Sequence, residues 1–203
     1  MISIIDYDAG NINSVCKAVM YLGEEAVITR DRDVILSSDK VILPGVGSFG
    51  DAMDRLKEYN LINVIYDVVD EGKPFLGICL GLQLLFKSSE ESPGAAGLGI
   101  LDGEIRRIPD APGLKIPHIG WNSININPDA RLFSDVPDQS YVYFVHSYYL
   151  HALHKEDVAA TTFYSTDIHA SVEHGDVFAC QFHPEKSSSV GLKILKNFIE
   201  LED

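Results

Sequence analysis

Cysteine is scarce in this chain: Cys16, Cys79 and Cys180 are the only three in 203 residues. An odd, sparse set without metal-ligand spacing excludes a disulfide framework, and a reducing, cytoplasmic setting fits it best. Long hydrophobic runs are missing too. No apolar stretch approaches the roughly 20 residues needed to span a bilayer, so no membrane helix is expected. The opening Met1-Ile2-Ser3-Ile4-Ile5-Asp6 lacks the basic region and cleavage site of a secretory signal and reads as a first strand. Positive charge is in short supply. With 16 Lys and Arg against 30 Asp and Glu, the net charge of −14 argues against a general nucleic-acid surface. It favours solubility, or a partner with a basic face. Linkers, repeats and low-complexity segments are also wanting, so residues 1–203 read as a single domain.

What is present alternates. Ile2 to Asp6, Ala26 to Thr29 and Val41 to Leu43 are short apolar runs suited to strands. Between them Ile12, Val15, Val19 and Leu22 recur at helical spacing with Gly23 as a stop, and Asp31-Arg32-Asp33 opens a brief helical piece. Met53 and Leu56, then Ile62, Ile65, Val68 and Val69, mark further helices. This order predicts a mainly parallel, doubly wound α/β sheet. From Gly103 the runs become short and β-like: Glu104–Ile108, Ser123–Ile126, Tyr141–Val145, Val158–Thr162 and His169–Glu173. They predict an antiparallel extension. Val177 to Phe182 is a last strand, and Ser187-Ser188-Ser189 are placed to cap a terminal helix.

The chemistry concentrates where Pro74-Phe75-Leu76-Gly77-Ile78, read as a strand, meets a leucine-rich helix over Leu80 to Lys87. Gly77-x-Cys79-x-Gly81 at such a junction has the composition of a nucleophile elbow, with Cys79 at a helix N-terminus whose dipole favours a thiolate. A thiol nucleophile needs a base, and the base needs an orienting group. Of seven histidines, His183 alone combines the end of a predicted strand with a carboxylate, Glu185, two residues on. On extended chain both would point to one side, and Pro184 favours extended geometry at His183. Strand carboxyl ends are where doubly wound sheets bind ligands. Backbone N–H groups for a developing oxyanion are expected at Leu80 and in the Gly45-Val46-Gly47 loop. That loop lacks the lysine and hydroxyl of a phosphate-binding loop. His151 and His154 have no third ligand at metal spacing and read as surface residues. Cys16 and Cys180 read as buried structural thiols.

These residues resemble a family. Gly77-Ile78-Cys79-Leu80-Gly81-Leu82-Gln83 together with Gln181-Phe182-His183-Pro184-Glu185 resembles the signature of class I (triad) glutamine amidotransferases. Pro44-Gly45-Val46-Gly47-Ser48-Phe49, Lys115-Ile116-Pro117-His118-Ile119-Gly120-Trp121-Asn122 and Phe144-Val145-His146-Ser147-Tyr148 resemble, within it, the glutaminase subunits of imidazole glycerol phosphate synthases. One departure is visible: Asp8 follows Tyr7 where that family often has glycine. The resemblance implies a three-layer α/β/α, flavodoxin-like fold and hydrolysis of L-glutamine through a glutamyl thioester. Cys79 would be the nucleophile, His183 the base and Glu185 its support. Val46, Gly47 and Leu80 would form the oxyanion site, and Gly45, Gln83 and Glu91 would hold glutamine. It also implies no cofactor and no metal. The partner would be a (β/α)8-barrel cyclase subunit, docked near Asn11, Trp121, Tyr143 and Lys186, with Tyr141 and Tyr148 as further aromatic candidates. Three other readings remain open: a glutaminase subunit for another synthase, such as one amidinating surface sugars, a non-catalytic binding module on the same fold, and a cysteine hydrolase of esters or peptides.

Overall fold

The computed structural model describes residues 1–201. Its first half alternates as the apolar periodicity predicts. Strands β1 (Ile2–Ile5), β2 (Ala26–Thr29), β3 (Lys40–Gly45) and β4 (Phe75–Cys79) are connected by helices α1 (Ile12–Tyr21), α2 (Arg32–Ser37), α3 (Phe49–Glu58) and α4 (Leu61–Asp70). Local chemistry starts two of the helices. The Asp31 carboxylate accepts the N–H groups of Asp33 and Val34 ahead of α2, and Ser48 Oγ accepts that of Asp51 in α3.

After the short α5 (Leu80–Leu84) come β5 (Gly103–Arg107), β6 (His118–Ser123), β7 (Asn125–Ile126), β8 (Tyr141–His146), β9 (Tyr148–Ala152), β10 (Val158–Tyr164), β11 (Thr166–His174), β12 (Val177–Cys180) and α6 (Ser188–Ile199). The main sheet runs β2-β1-β3-β4-β12-β11-β10-β7. Its first five strands are parallel, and from β11 onward the pairing is antiparallel. β9 joins through β11 and carries β5. The expected extension is therefore present, with one difference. β6 and β8 form a ladder of their own. Two of the strands, most of β6 and all of β9, had no clear alternation in sequence. Gly120, Asn122 and two histidines weaken the pattern, and cross-strand pairing supplies what propensity does not.

Alternate residues of the parallel strands feed two cores. Ile5, Leu43 and Phe75 pack with Leu56 of α3 and Ile65 of α4. Ile4, Ile42, Leu76 and Ile78 pack with Val19 of α1 and Leu195 of α6. Burial on both faces is why these strands read as continuous apolar runs. The α5 helix ends four residues before Ser88, earlier than expected. The returning loop takes its carbonyls: Leu98 donates to Leu84, Ile100 to Leu85 and Gly97 to Lys87. Ser187 stands at the head of α6 without capping it. Its hydroxyl donates to the His183 carbonyl at 2.6 Å and accepts the Tyr143 N–H at 3.0 Å, tying the last strand's exit to β8.

The turn from β4 into α5 is tight because backbone packs on backbone. A Cβ on Gly81 would lie 1.9 Å from the Leu43 carbonyl oxygen, and one on Gly77 would lie 2.8 Å from that of Gly81. Replacing Gly81 by alanine is expected to destabilise the fold by about 3 kcal/mol or more, since the obstacle is a central strand that cannot yield. Urea unfolding measures this, and a loss below about 1 kcal/mol would show that β3 gives way after all.

Candidate active site

Cys79 ends β4 with φ 56° and ψ −107°, a backbone that L-residues rarely hold. The flanking glycine contacts keep it there, and such strain is found where a side chain must stand clear of a sheet. The thiol is buried to 7% exposure but lines a cleft of about 300 Å³. Leu80, next along, begins α5, so its N–H sits at the helix start beside the thiol.

His183 lines the same cleft from beyond β12. Its Nδ1 bonds Glu185 Oε1 at 2.8 Å, and both side chains are almost wholly buried. The pair does not meet by the strand alternation expected from sequence. Residues Pro184–Lys186 form a 3-10 turn, which swings the carboxylate back under the ring. Burial works against charge on His183, yet Cys79 and Glu185 outweigh it and raise its pKa from 6.5 to about 9. The ring's Nε2 is buried and bonds no protein atom among the described residues.

Val46 and Gly47 form the opposite wall. Gly47 has φ 109°, which only glycine adopts without strain. Tyr7 steadies the approach to this loop by donating to the Pro44 carbonyl at 2.8 Å. Glu91 reaches the cleft, and its Oε2 accepts the Phe49 N–H at the start of α3 at 2.8 Å. Gln83 lies in α5 with its amide nitrogen given to the Tyr148 carbonyl at 3.1 Å and Gln181 Oε1 at 3.0 Å. Gly45 is different. It is a buried residue of β3 outside this lining, where a Cβ would fall 2.2 Å from Tyr7 Oη. Its part is to let β3 pass the tyrosine and Leu80.

The family model for glutamine amidotransferase class-I matches residues 3–201. The chain belongs to that family. It is 50% identical over 198 residues to the imidazole glycerol phosphate synthase subunit HisH of Bacillus cereus (strain G9842), across 98% of this chain and 93% of that protein. With the HisH subunit of Methanocaldococcus jannaschii it shares 47% over 201 residues, across 99% and 100%. Among solved structures, a glutamine amidotransferase superposes with TM-score 0.76 at 21% identity, covering 98% and 97% of the two chains. PurLQS from Thermotoga maritima gives 0.77 at 20%, covering 98% and 96%. These structural likenesses establish the mixed α/β amidotransferase fold.

Against that family background several positions stand out. Asn11, expected at a docking surface, donates to Glu185 Oε1 at 3.3 Å, so it touches the carboxylate itself. Trp121 is 52% exposed and meets half-buried Tyr143 edge-on at 6.1 Å, while Lys186 is exposed beside Glu185. Tyr148 lines the cleft. Asp8 takes φ 63°, so an aspartate does hold the left-handed turn that glycine would favour, and Arg30 and Tyr59 bond its carboxylate. Cys180 is fully buried, with burial pushing its thiol pKa up, but Cys16 is only half-buried on α1.

Three residues near the thiol carried no role in the sequence reading. Gln181 donates to Cys79 Sγ at 3.7 Å. His118 Nδ1 and His146 Nε2 lie 3.0 Å apart, both rings buried. The alternation argument that picked out His183 also reaches Gln181, two residues earlier; nothing local marks the two histidines.

Burial lowers His146 from 6.5 to about 3, aided by His118 and His183 and opposed by its bond to the Tyr148 carbonyl. Between those pH values the unfolded chain binds the proton that the folded chain refuses. Stability is therefore expected to fall as pH drops through this window, by on the order of 1 kcal/mol per pH unit from this ring. Guanidinium unfolding repeated across the window checks it. His146→Phe should lessen the slope and leave the share of His118, which burial lowers to about 4. An unchanged slope would mean that other groups carry it.

Proposed function

We propose that this chain, acting as one amidotransferase domain over 1–203, hydrolyses L-glutamine to glutamate and ammonia, with Cys79 as nucleophile, His183 as base and acid, and Glu185 as its support. The observation that carries this reading is the convergence, in one cleft, of a thiol on a strained elbow with a buried histidine–carboxylate pair. Cys79 Sγ attacks the carboxamide carbon while its proton resides on His183. The oxyanion so formed meets the Leu80 N–H and a peptide N–H of Val46–Gly47, and each such donor contributes about 10²- to 10³-fold. His183 then passes the proton to the departing nitrogen, the C–N bond breaks, and ammonia leaves a glutamyl thioester. Water attacks the acyl carbon, its proton goes to His183, and the C–S bond breaks to release glutamate. Glu91, held by the Phe49 N–H, offers its other oxygen to the substrate ammonium, and Gln83 offers its carbonyl.

Ammonia freed into water would be protonated and lost, so a second subunit must receive it. The relatives are named as subunits of imidazole glycerol phosphate synthase. We place the partner as a (β/α)8-barrel cyclase, which uses the ammonia to make imidazole glycerol phosphate and aminoimidazole carboxamide ribotide in cytoplasmic histidine biosynthesis. Exposed Trp121 with Tyr143 and Lys186 suits that contact, since aromatic side chains anchor interfaces. No helix among the described residues is long and apolar enough to cross a membrane.

Glutamate release, measured with the chain alone, with the cyclase subunit, and with that subunit plus its nucleotide ligand, tests the reading. Cys79→Ala should abolish turnover, by about 10⁴-fold or more. Because His183 must be protonated opposite the thiol, turnover should decline as pH rises through about 9. Glu185→Gln removes one of the groups raising that pKa and should bring this alkaline limb down by about one to two pH units. No hydrolysis in any mixture would overturn the assignment.

A further inference from the structure

β6 and β8 pair so that His118 stands directly opposite His146, with both rings on the inner face of the ladder. His118 is stacked between Tyr164, at 4.0 Å and 15°, and Phe144, at 4.8 Å and 19°, so it cannot swing away. His146 Nδ1 lies 2.8 Å from the Tyr148 carbonyl oxygen. A carbonyl only accepts, so that nitrogen carries the proton. The lone pair on His146 Nε2 is then left to accept from His118 Nδ1–H across 3.0 Å. Both tautomers are thereby set, and burial holds both rings neutral. With each nitrogen of His146 engaged, the ring has no proton to exchange with a substrate, although it borders the cleft.

The bonds continue to the sulphur. The Tyr148 carbonyl that receives His146 also receives Gln83 Nε2 at 3.1 Å, and Gln83 gives its second amide proton to Gln181 Oε1 at 3.0 Å. Gln181 in turn donates to Cys79 Sγ at 3.7 Å. We propose that the facing pair His118 and His146 is a positioning relay for the nucleophile: it holds the Tyr148 carbonyl, which orients Gln83 and Gln181 and so sets the place of the Cys79 sulphur. The relay deepens the glutaminase reading and rests on it.

Two substitutions separate positioning from mere filling. His146→Phe keeps the volume and removes the donor to Tyr148, whereas His146→Asn puts an amide N–H near the former Nδ1. With glutamine and the cyclase subunit present, His146→Phe should lower kcat by about tenfold to a hundredfold. Because Gln83 also holds glutamine, KM should rise, and His146→Asn should recover most of both losses. The rate at which iodoacetamide modifies Cys79, read by peptide mass, should change in the first variant and return in the second. Nitrogen NMR of the wild-type histidines needs no variant: both rings should be Nδ1–H tautomers that stay neutral at neutral pH. An Nε2–H tautomer at His146 overturns the relay. So does a wild-type kcat and alkylation rate in His146→Phe, or an asparagine variant as impaired as phenylalanine with an unchanged melting temperature. A wild-type chain that leaves glutamine intact even with the cyclase subunit and its nucleotide ligand, while tautomers and alkylation behave as stated, removes the glutaminase reading and leaves the relay standing.

Discussion

Gly81 rides on the carbonyl oxygen of Leu43 with no room for a single added carbon. That contact between two backbones decides how closely α5 can approach β3, and the rest of the site is arranged from it. With α5 pressed down, the chain must turn within one residue of the end of β4. Cys79 takes up the turn in a strained conformation, and its thiol is lifted toward the cleft. Leu80 starts a helix immediately beside it, and the Val46–Gly47 loop leaves β3 close enough to form the facing wall. The thiol is presented by steric exclusion, before any charge is considered.

Charge then divides the buried histidines. His183 and His146 both lie in low-dielectric surroundings that penalise an imidazolium, yet one is pushed up to about 9 and the other down to about 3. The difference lies in what each ring faces. His183 has the Cys79 sulphur and the Glu185 carboxylate as neighbours, and negative charge on either favours a positive ring. His146 faces a neutral histidine and a carbonyl, and the carbonyl's pull toward a charged ring is outweighed by burial. Neighbouring rings in one cleft are thus suited to opposite tasks, one to moving a proton and one to keeping still.

Much of this was legible in the residues. The parallel half announced itself because doubly buried strands are plain apolar runs, and the elbow because glycines bracketed a cysteine at a strand end. Glu185 was paired correctly with His183 for a reason that does not hold, since a turn and not a pleat brings them together. Gly45, which the family resemblance places at the glutamine, lies outside the cleft lining at a point where Tyr7 leaves no room for a Cβ. What stayed hidden lies in the second half. β6 and β9 exist through their partners, and the link from His118 to Cys79 runs through β6, β8, β9, α5 and β4, and through Gln181 just past β12, with no common spacing. Relations of that kind are made by register, which a single strand's composition does not contain.

The strand that delivers His183 is the last in the chain, yet it lies in the middle of the sheet, between β4 and β11. Gln181 and Cys79, in contact at the site, are 102 residues apart in sequence. A polypeptide emerging from synthesis therefore exposes its thiol long before the imidazole exists. Until β12 inserts, β4 and β11 have no partner on their facing edges, and closing that gap is a long-range, slow event. An unfinished chain holds half of the machinery with a central slot open. Completion of the sheet and completion of the site are the same step.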